Sequence, residues 1–257
     1  MDSAQREVVT RTLFEPKVRS PVLVCGLPGS GYVGKLAADH LVESFKGKLF
    51  EEFYSGSLPP HANVDGQGVG RAIRGELYHC ETGQRNDIIV FTADAQPTTA
   101  RGEYELSMAV LSTAKRLGAT VVFSLAAYIT GGFSKDQRVF GAATSQELLE
   151  ELTDGGIRAM SEGGISGMNG IVIGMAGLLG MDGVCLLGET SGYLVDPVAS
   201  QMVLEALSRV MKLDIDLRAL KDKVVEAKQV IGQIRSMTEE SAEAQGANRS
   251  DQPGYIG

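Results

Sequence analysis

Three glycines and a lysine carry the first suggestion of chemistry in this chain. In Pro21-Val-Leu-Val-Cys-Gly-Leu-Pro-Gly-Ser-Gly-Tyr-Val-Gly-Lys35, Gly29, Gly31 and Gly34 stand at G-x-G-x-x-G spacing, while Gly29, Gly34 and Lys35 stand at the G-x-x-x-x-G-K spacing of a P-loop. Either pattern would aim backbone N–H groups at phosphates where a helix begins. A P-loop also needs a hydroxyl after its lysine to hold magnesium, and Leu36 offers no oxygen. The dinucleotide pattern fares better locally, because Glu51 and Glu52 follow about twenty residues on, where a ribose partner belongs. Against it, Pro28 directly precedes the first glycine and removes an N–H from the turn. The alternative is architectural: the glycines permit a tight strand-to-helix turn and close helix–sheet packing. The residues favour that alternative and predict no cofactor.

Other groups with chemical potential are scattered. Asp94 and Glu189 sit where strands are predicted to end and would form a general acid/base pair if those ends converged. Ser124, Thr130 and Ser191 are hydroxyls in or beside the same segments, but no histidine lies there to act as base and no G-x-S-x-G elbow occurs. The competing reading is that these acids and hydroxyls cap helices and satisfy loop backbone. His40 and His61 are isolated, and His79-Cys80 would point to opposite faces of a strand. Cys25, Cys80 and Cys185 lie far apart, with no C-x-x-C or H-x-x-x-H spacing. The expectation is no disulfide framework, no metal and no catalytic residue.

The elements that must position these groups alternate along the chain. Pro21 to Cys25, Asp87 to Thr92, Thr120 to Leu125 and Gly183 to Leu187 read as strands apolar throughout, as in a sheet covered on both faces. Between them lie helical patterns over Tyr32 to Phe45, Gly102 to Leu117, Ser145 to Leu152, Asn169 to Leu179 and Pro197 to Met211. Asp196 is placed to cap the last of these, with Pro197 at its first position, and Thr144 with Glu147 has capping-box spacing for the third. Leu49 to Glu81, with Gly-rich Val64 to Gly70, reads as an antiparallel extension around a hairpin turn. The fold class is α/β, a three-layer α/β/α sandwich.

Composition bounds the function. The chain has 257 residues, 43% of them hydrophobic and 22% charged, enough to bury one large core. A formal net charge of −8 argues against a nucleic-acid partner. The first residues carry no apolar signal-peptide region and no apolar run reaches membrane-spanning length, so the expectation is a soluble, cytoplasmic protein with no membrane partner.

Several separated motifs point to a family. Pro21 to Leu41, Gly102-Glu-Tyr-Glu-Leu106, Arg138-Val-Phe-Gly-Ala-Ala-Thr-Ser145 and Leu187-Gly-Glu-Thr-Ser-Gly-Tyr-Leu-Val-Asp-Pro197 resemble the archaeal branch of the proteasome assembly chaperone superfamily, the type related to the second eukaryotic chaperone subunit. The resemblance spans about Val8 to Asp216. It implies a sandwich similar to phosphorylase/hydrolase-like folds, homo-oligomers, and a protein-binding role without established catalytic residues. The glycine turn is then architectural, and the ATP-grasp-like label given to some members finds little support in these residues.

The remainder of the chain changes character. Leu217, Leu220, Val224, Ala227, Ile231 and Ile234 recur at three- and four-residue spacing, with Asp222, Lys223, Glu226 and Lys228 between them. This stripe suits a coiled coil, a helix against another subunit, or a helix on the chain's own domain, and Gly232 weakens it. The organisation read from the sequence is a sandwich domain over 1–216, an amphipathic helix over 217–240 and a flexible tail over 241–257. Tyr255, Ile256 and Gly257 end that tail. The resemblance implies a terminal hydrophobic-tyrosine-any-residue motif that docks between proteasome α-subunits, and here Ile256 occupies the tyrosine's place. The expected function is a non-enzymatic, homo-oligomeric chaperone or adaptor for proteasome α-subunits. The alternatives are a nucleotide-binding enzyme, ATP-grasp-like or hydrolase-like, using Gly29, Gly31, Gly34 and Lys35, and an oligomeric scaffold with an unrelated partner.

Overall fold

A computed structural model describes residues 8–132, 137–221 and 224–225. Its elements run β1 (Val8–Thr12), β2 (Val22–Gly26), α1 (Val33–Ser44), β3 (Lys48–Ser55), β4 (Ala62–Val64), β5 (Gly70–Ala72), β6 (Gly75–Cys80) and β7 (Ile88–Ala93) in the first part. There follow α2 (Ala100–Arg116), β8 (Val121–Ile129), β9 (Val139–Ala143), α3 (Gln146–Asp154), β10 (Arg158–Ala159), α4 (Met168–Leu178), β11 (Asp182–Thr190) and α5 (Pro197–Met211).

Nine strands form one sheet in the order β1-β3-β6-β7-β2-β8-β11-β9-β10. The central four, β7, β2, β8 and β11, are mutually parallel, and apart from the two ends of β8 and the first residue of β11 their residues are buried because helices cover both faces. Antiparallel strands flank them, with β6, β3 and β1 on one side and β9 on the other. One apolar layer joins α1 and α5 to the sheet through Val33, Ala37, Leu41, Val203 and Leu207, and a second packs Leu106, Val110, Val172 and Met175 of α2 and α4 on the opposite face. The result is the expected three-layer α/β/α sandwich. The extension between β3 and β6 carries the β4–β5 ribbon, whose turn is held by Asp65, with Oδ1 accepting the Gln67 and Val69 N–H groups. Those bonds keep the Asp65 carboxyl below its ordinary value.

Helix starts follow side-chain capping. Thr99 Oγ1 accepts the Gly102 N–H at the head of α2, and Asp196 Oδ1 accepts the Ala199 N–H at the head of α5, with Pro197 in the first turn. The third helix corrects the expected cap by one residue. Ser145, not Thr144, caps it by accepting the Leu148 N–H, because the Thr144 hydroxyl instead accepts the Gly183 N–H of β11. After α5, Leu217, Leu220 and Val224 pack their apolar stripe onto the α1/α5 layer. Ala227, Ile231, Ile234 and the tip Tyr255, Ile256 and Gly257 lie outside the described residues. Among the described residues, no helix is long and apolar enough to cross a membrane.

Candidate functional site

The carboxyl ends of the four parallel strands share one edge of the sheet, the place where open α/β sheets bind ligands. The glycine turn leaves β2 there. Gly31 has φ +62° and Tyr32 φ +53°, so the chain reverses through two left-handed residues before α1 begins. Gly26 and Gly34 answer to packing. A methyl on Gly34 would fall well inside contact distance of the Leu125 carbonyl oxygen and 3.0 Å from its carbon, and one on Gly26 would lie 2.7 Å from Ala38 Cβ. The first turn of α1 therefore rests against the main chains of β2 and β8.

Several bonds close this turn. Tyr32 N–H donates to Gly29 O (2.9 Å), Asp196 N–H to Gly31 O (2.8 Å), and Gln96 Nε2 to Pro28 O (2.6 Å). Lys35 Nζ pairs with Asp39 one helical turn on, at 2.6 Å, so its charge is engaged on α1. The buried Asp196 carboxylate beside Gly31 accepts from Thr190 Oγ1 and Gln137 Nε2 and adds negative charge where a phosphate would need positive. On this geometry, calorimetric titration with ATP, GTP, NAD or FAD in magnesium is expected to give no micromolar binding. Micromolar binding that disappears in Lys35→Ala would reverse the architectural reading.

The two candidate acids do not converge. Asp94 follows β7 and Glu189 ends β11, with β2 and β8 between them, a separation of about 14 Å at ordinary strand spacing. Each belongs to an arginine. Asp94 is gripped by Arg71 through both Nη atoms (2.5 and 2.8 Å) and accepts the Arg74 N–H (3.0 Å). Burial opposes its charge, but the Arg71 and Arg74 bonds outweigh that and hold the carboxyl below its ordinary value. Glu189, only 3% exposed, accepts from Arg138 Nε (2.8 Å), Nη2 (3.3 Å) and backbone N–H (3.1 Å).

The hydroxyls and histidines are likewise structural in placement. Ser124 is wholly buried in β8, where its hydroxyl makes a long 3.5 Å contact to Asn169 Oδ1 and bonds the Cys185 thiol, and Thr130 donates to the Gly132 and Thr190 carbonyls. Ser191 Oγ accepts the Tyr193 N–H at 3.4 Å. His40 meets the Asp216 carbonyl at 2.7 Å and His79 faces Asp87 at 3.5 Å, neither at the strand ends. The three cysteines are buried and free, and burial pushes the Cys80 and Cys185 thiols up to about 12. No metal-ligating cluster occurs among the described residues.

What the strand ends do assemble is an apolar rim above a cleft. Tyr32, Ile129, Tyr193, Leu194 and Val195 are exposed, Tyr193 by 75%. They adjoin one another: the Asp196–Gly31 bond ties the 191–195 loop to the glycine turn, Thr130 N–H bonds Thr190 O, and Gly192 lies against Ile129. Large exposed side chains grouped this way mark an interaction surface. The tyrosine-aliphatic run in a glycine-bounded loop was its only sequence signal. Below the rim, a cleft of ≈ 550 Å³ opens between the glycine turn, the end of β8 and the heads of α2 and α4. Gln96, which no motif singles out, bridges it: its Nε2 holds Pro28 O and its Oε1 accepts the Met168 N–H at the head of α4.

Known proteins share this fold. The sequence model of the PAC2 family matches residues 23–235. The uncharacterised protein MJ1210 of Methanocaldococcus jannaschii is 33% identical over 241 residues, covering 93% of this chain and 92% of that protein. Among solved structures, Pyrococcus furiosus PbaB, an archaeal proteasome activator, is similar with a TM-score of 0.83 and 29% identity, over 90% of this chain and 100% of that one. Pyrococcus furiosus PbaA, an archaeal homolog of proteasome-assembly chaperone, has a TM-score of 0.72 and 28% identity, over 94% and 96%.

Proposed function

The chain belongs to the PAC2 family, and from that premise we propose that it is a non-enzymatic, homo-oligomeric, cytoplasmic chaperone or adaptor that binds proteasome α-subunits. The observation that carries this reading is its likeness, over nearly its whole length, to both PbaB and PbaA. The site chemistry supports it: the acids are neutralised by arginines, the lysine is paired, and exposed apolar side chains ring the strand ends. The tip Tyr255, Ile256 and Gly257 is proposed as a second point of contact. A weak docking segment repeated on every subunit of an oligomer gains avidity through effective concentration.

The test is retention of purified archaeal α-subunits, and separately of assembled proteasome, on the immobilised full chain and on a chain ending at Asp251. The full chain is expected to hold at least one of the two forms, and the shortened chain to hold it less well. Retention of neither by the full chain would overturn the proposal. Equal retention by both chains would assign binding to the sandwich and remove the tip.

A further inference from the structure

The cleft beneath the apolar rim contains an unused strand edge. β8 pairs with β11 as far as Ile129, opposite Thr190, but with β2 only as far as Leu125, opposite Gly26. Main-chain groups of successive residues in a parallel strand address alternate neighbours. Thr130 N–H donates to Thr190 O, so the even-numbered positions here face β11, and Ala127 and Ile129 face the side that β2 has left. Among the described residues, no hydrogen bond is made on that side by the main chain of either. Open edges of this kind accept a further strand.

Two side chains give the edge chemical character. Glu103, in the first turn of α2, lines the cleft half-buried, and its carboxylate has no hydrogen bond or ion pair among the described residues. Burial raises its pKa. Among the described residues no lysine, arginine or histidine lines the cleft to neutralise that charge. Asn169, at the head of α4, is only 8% exposed, and while its Oδ1 faces Ser124 its Nδ2 has no partner among the described residues. An amide donor and an unpaired carboxylate beside open main chain ask for a ligand with a carbonyl acceptor, N–H donors and a cation.

We propose that the cleft binds an extended stretch of a partner polypeptide, its main chain paired with Ala127 and Ile129 and a lysine or arginine side chain set against Glu103. This rests on the protein-binding reading above and names the chemistry of the segment recognised. A formal charge of −8 on the whole chain favours the approach of such a segment.

The probe is a dye-labelled pentapeptide, acetyl-Val-Arg-Val-Thr-Val carboxamide, titrated onto the full chain by fluorescence anisotropy. Saturable binding is expected. Replacing arginine with its neutral isostere citrulline, or making Glu103→Gln, should weaken it about tenfold or more, as for loss of a charge-assisted hydrogen bond. Ala127→Pro removes the N–H at a position whose ladder side is free and should weaken binding while leaving thermal unfolding near the parent's. If that variant unfolds, N-methylation of the peptide's central residue tests the same bond from the ligand side. Absence of saturable binding to millimolar peptide, or equal binding of the citrulline peptide and by Glu103→Gln, would overturn the proposal. It would do so even if α-subunits are retained on the full chain, so the two readings fail separately.

Discussion

Gly34→Ala should lower thermal stability more than any other single methyl added to the glycine turn. The new carbon would collide with the Leu125 main chain, backbone that has no side-chain rotamer with which to yield. Relief requires α1 to lift from β2 and β8, loosening Val33, Ala37 and Leu41 in the layer beneath it. Overpacking of this kind costs about 3 kcal/mol or more, which for a chain of this size lowers the melting temperature by about 6–12 °C. Gly29→Ala is the matched control. Its backbone is extended (φ −172°), and the nearest atom to an added methyl is Gln96 Nε2 at 3.8 Å, so the change should stay within about 0.5 kcal/mol. A phosphate-binding loop would make the first glycine critical, and a packing contact makes the third so. Melting curves with the opposite ranking would refute the packing account.

Arg74→Met is expected to be comparably damaging for an electrostatic reason. Arg74 Nη1 meets Glu52 Oε1 at 2.6 Å and Nη2 meets Glu76 Oε1 at 2.7 Å, between side chains that are 4% and 13% exposed. Glu52 and Glu76 face each other directly across β3 and β6, so the guanidinium separates two carboxylates in register. Removing one member of a buried ionic group costs about 3–5 kcal/mol, and here the low end is expected, because Glu52 keeps the largely exposed Arg11 at 3.3 Å and the Tyr54 hydroxyl while Glu76 keeps only the Tyr78 hydroxyl. Methionine keeps the apolar stem and isolates the charge effect. Adding Glu52→Gln and Glu76→Gln to Arg74→Met should recover much of the loss, and an unchanged melting temperature for Arg74→Met alone would show the group to be solvated.

The sequence announced the central sheet because its four parallel strands are buried on both faces and so read as unbroken apolar runs. The flanking strands did not stand out. β9 is Val-Phe-Gly-Ala-Ala, in which small residues replace the usual β-branched ones, because α3 and the 157 loop press close: a methyl on Gly141 would come 2.9 Å from Ile157. β1 alternates weakly because it lies at the sheet edge with most of its residues exposed. The α3 cap moved by one residue because Thr144 and Ser145 are chemically alike and only a contact to distant Gly183 distinguishes them. The acids at the strand ends were visible, but the arginines that occupy them were not. Arg71 reaches Asp94 from the β5 ribbon, and Arg138 reaches Glu189 from beside β9, pairings that exist only once the sheet is assembled. The apolar rim is legible only in part, since its five side chains come from three separate segments.

The strand order also governs when this molecule can become a molecule. β2 sits at the centre of the sheet, yet Val22 pairs with Ile88 and Val24 with Phe123, and β8 in turn awaits β11, where Val122 meets Gly183. Of the central four, only β7 has both of its neighbours, β6 and β2, once Ala93 has been made; β2 waits for β8 and β8 for β11. Chain closure over such distances must precede the contacts that reward it, which places folding toward the slow end for single domains. A nascent chain emerging from the ribosome would therefore hold β2, with its Val-Leu-Val-Cys run, without its second neighbour until β8 had been made, and β8 without its own until β11 had followed. A protein proposed to assist the assembly of others thus carries an open central strand edge of its own until β11 is made.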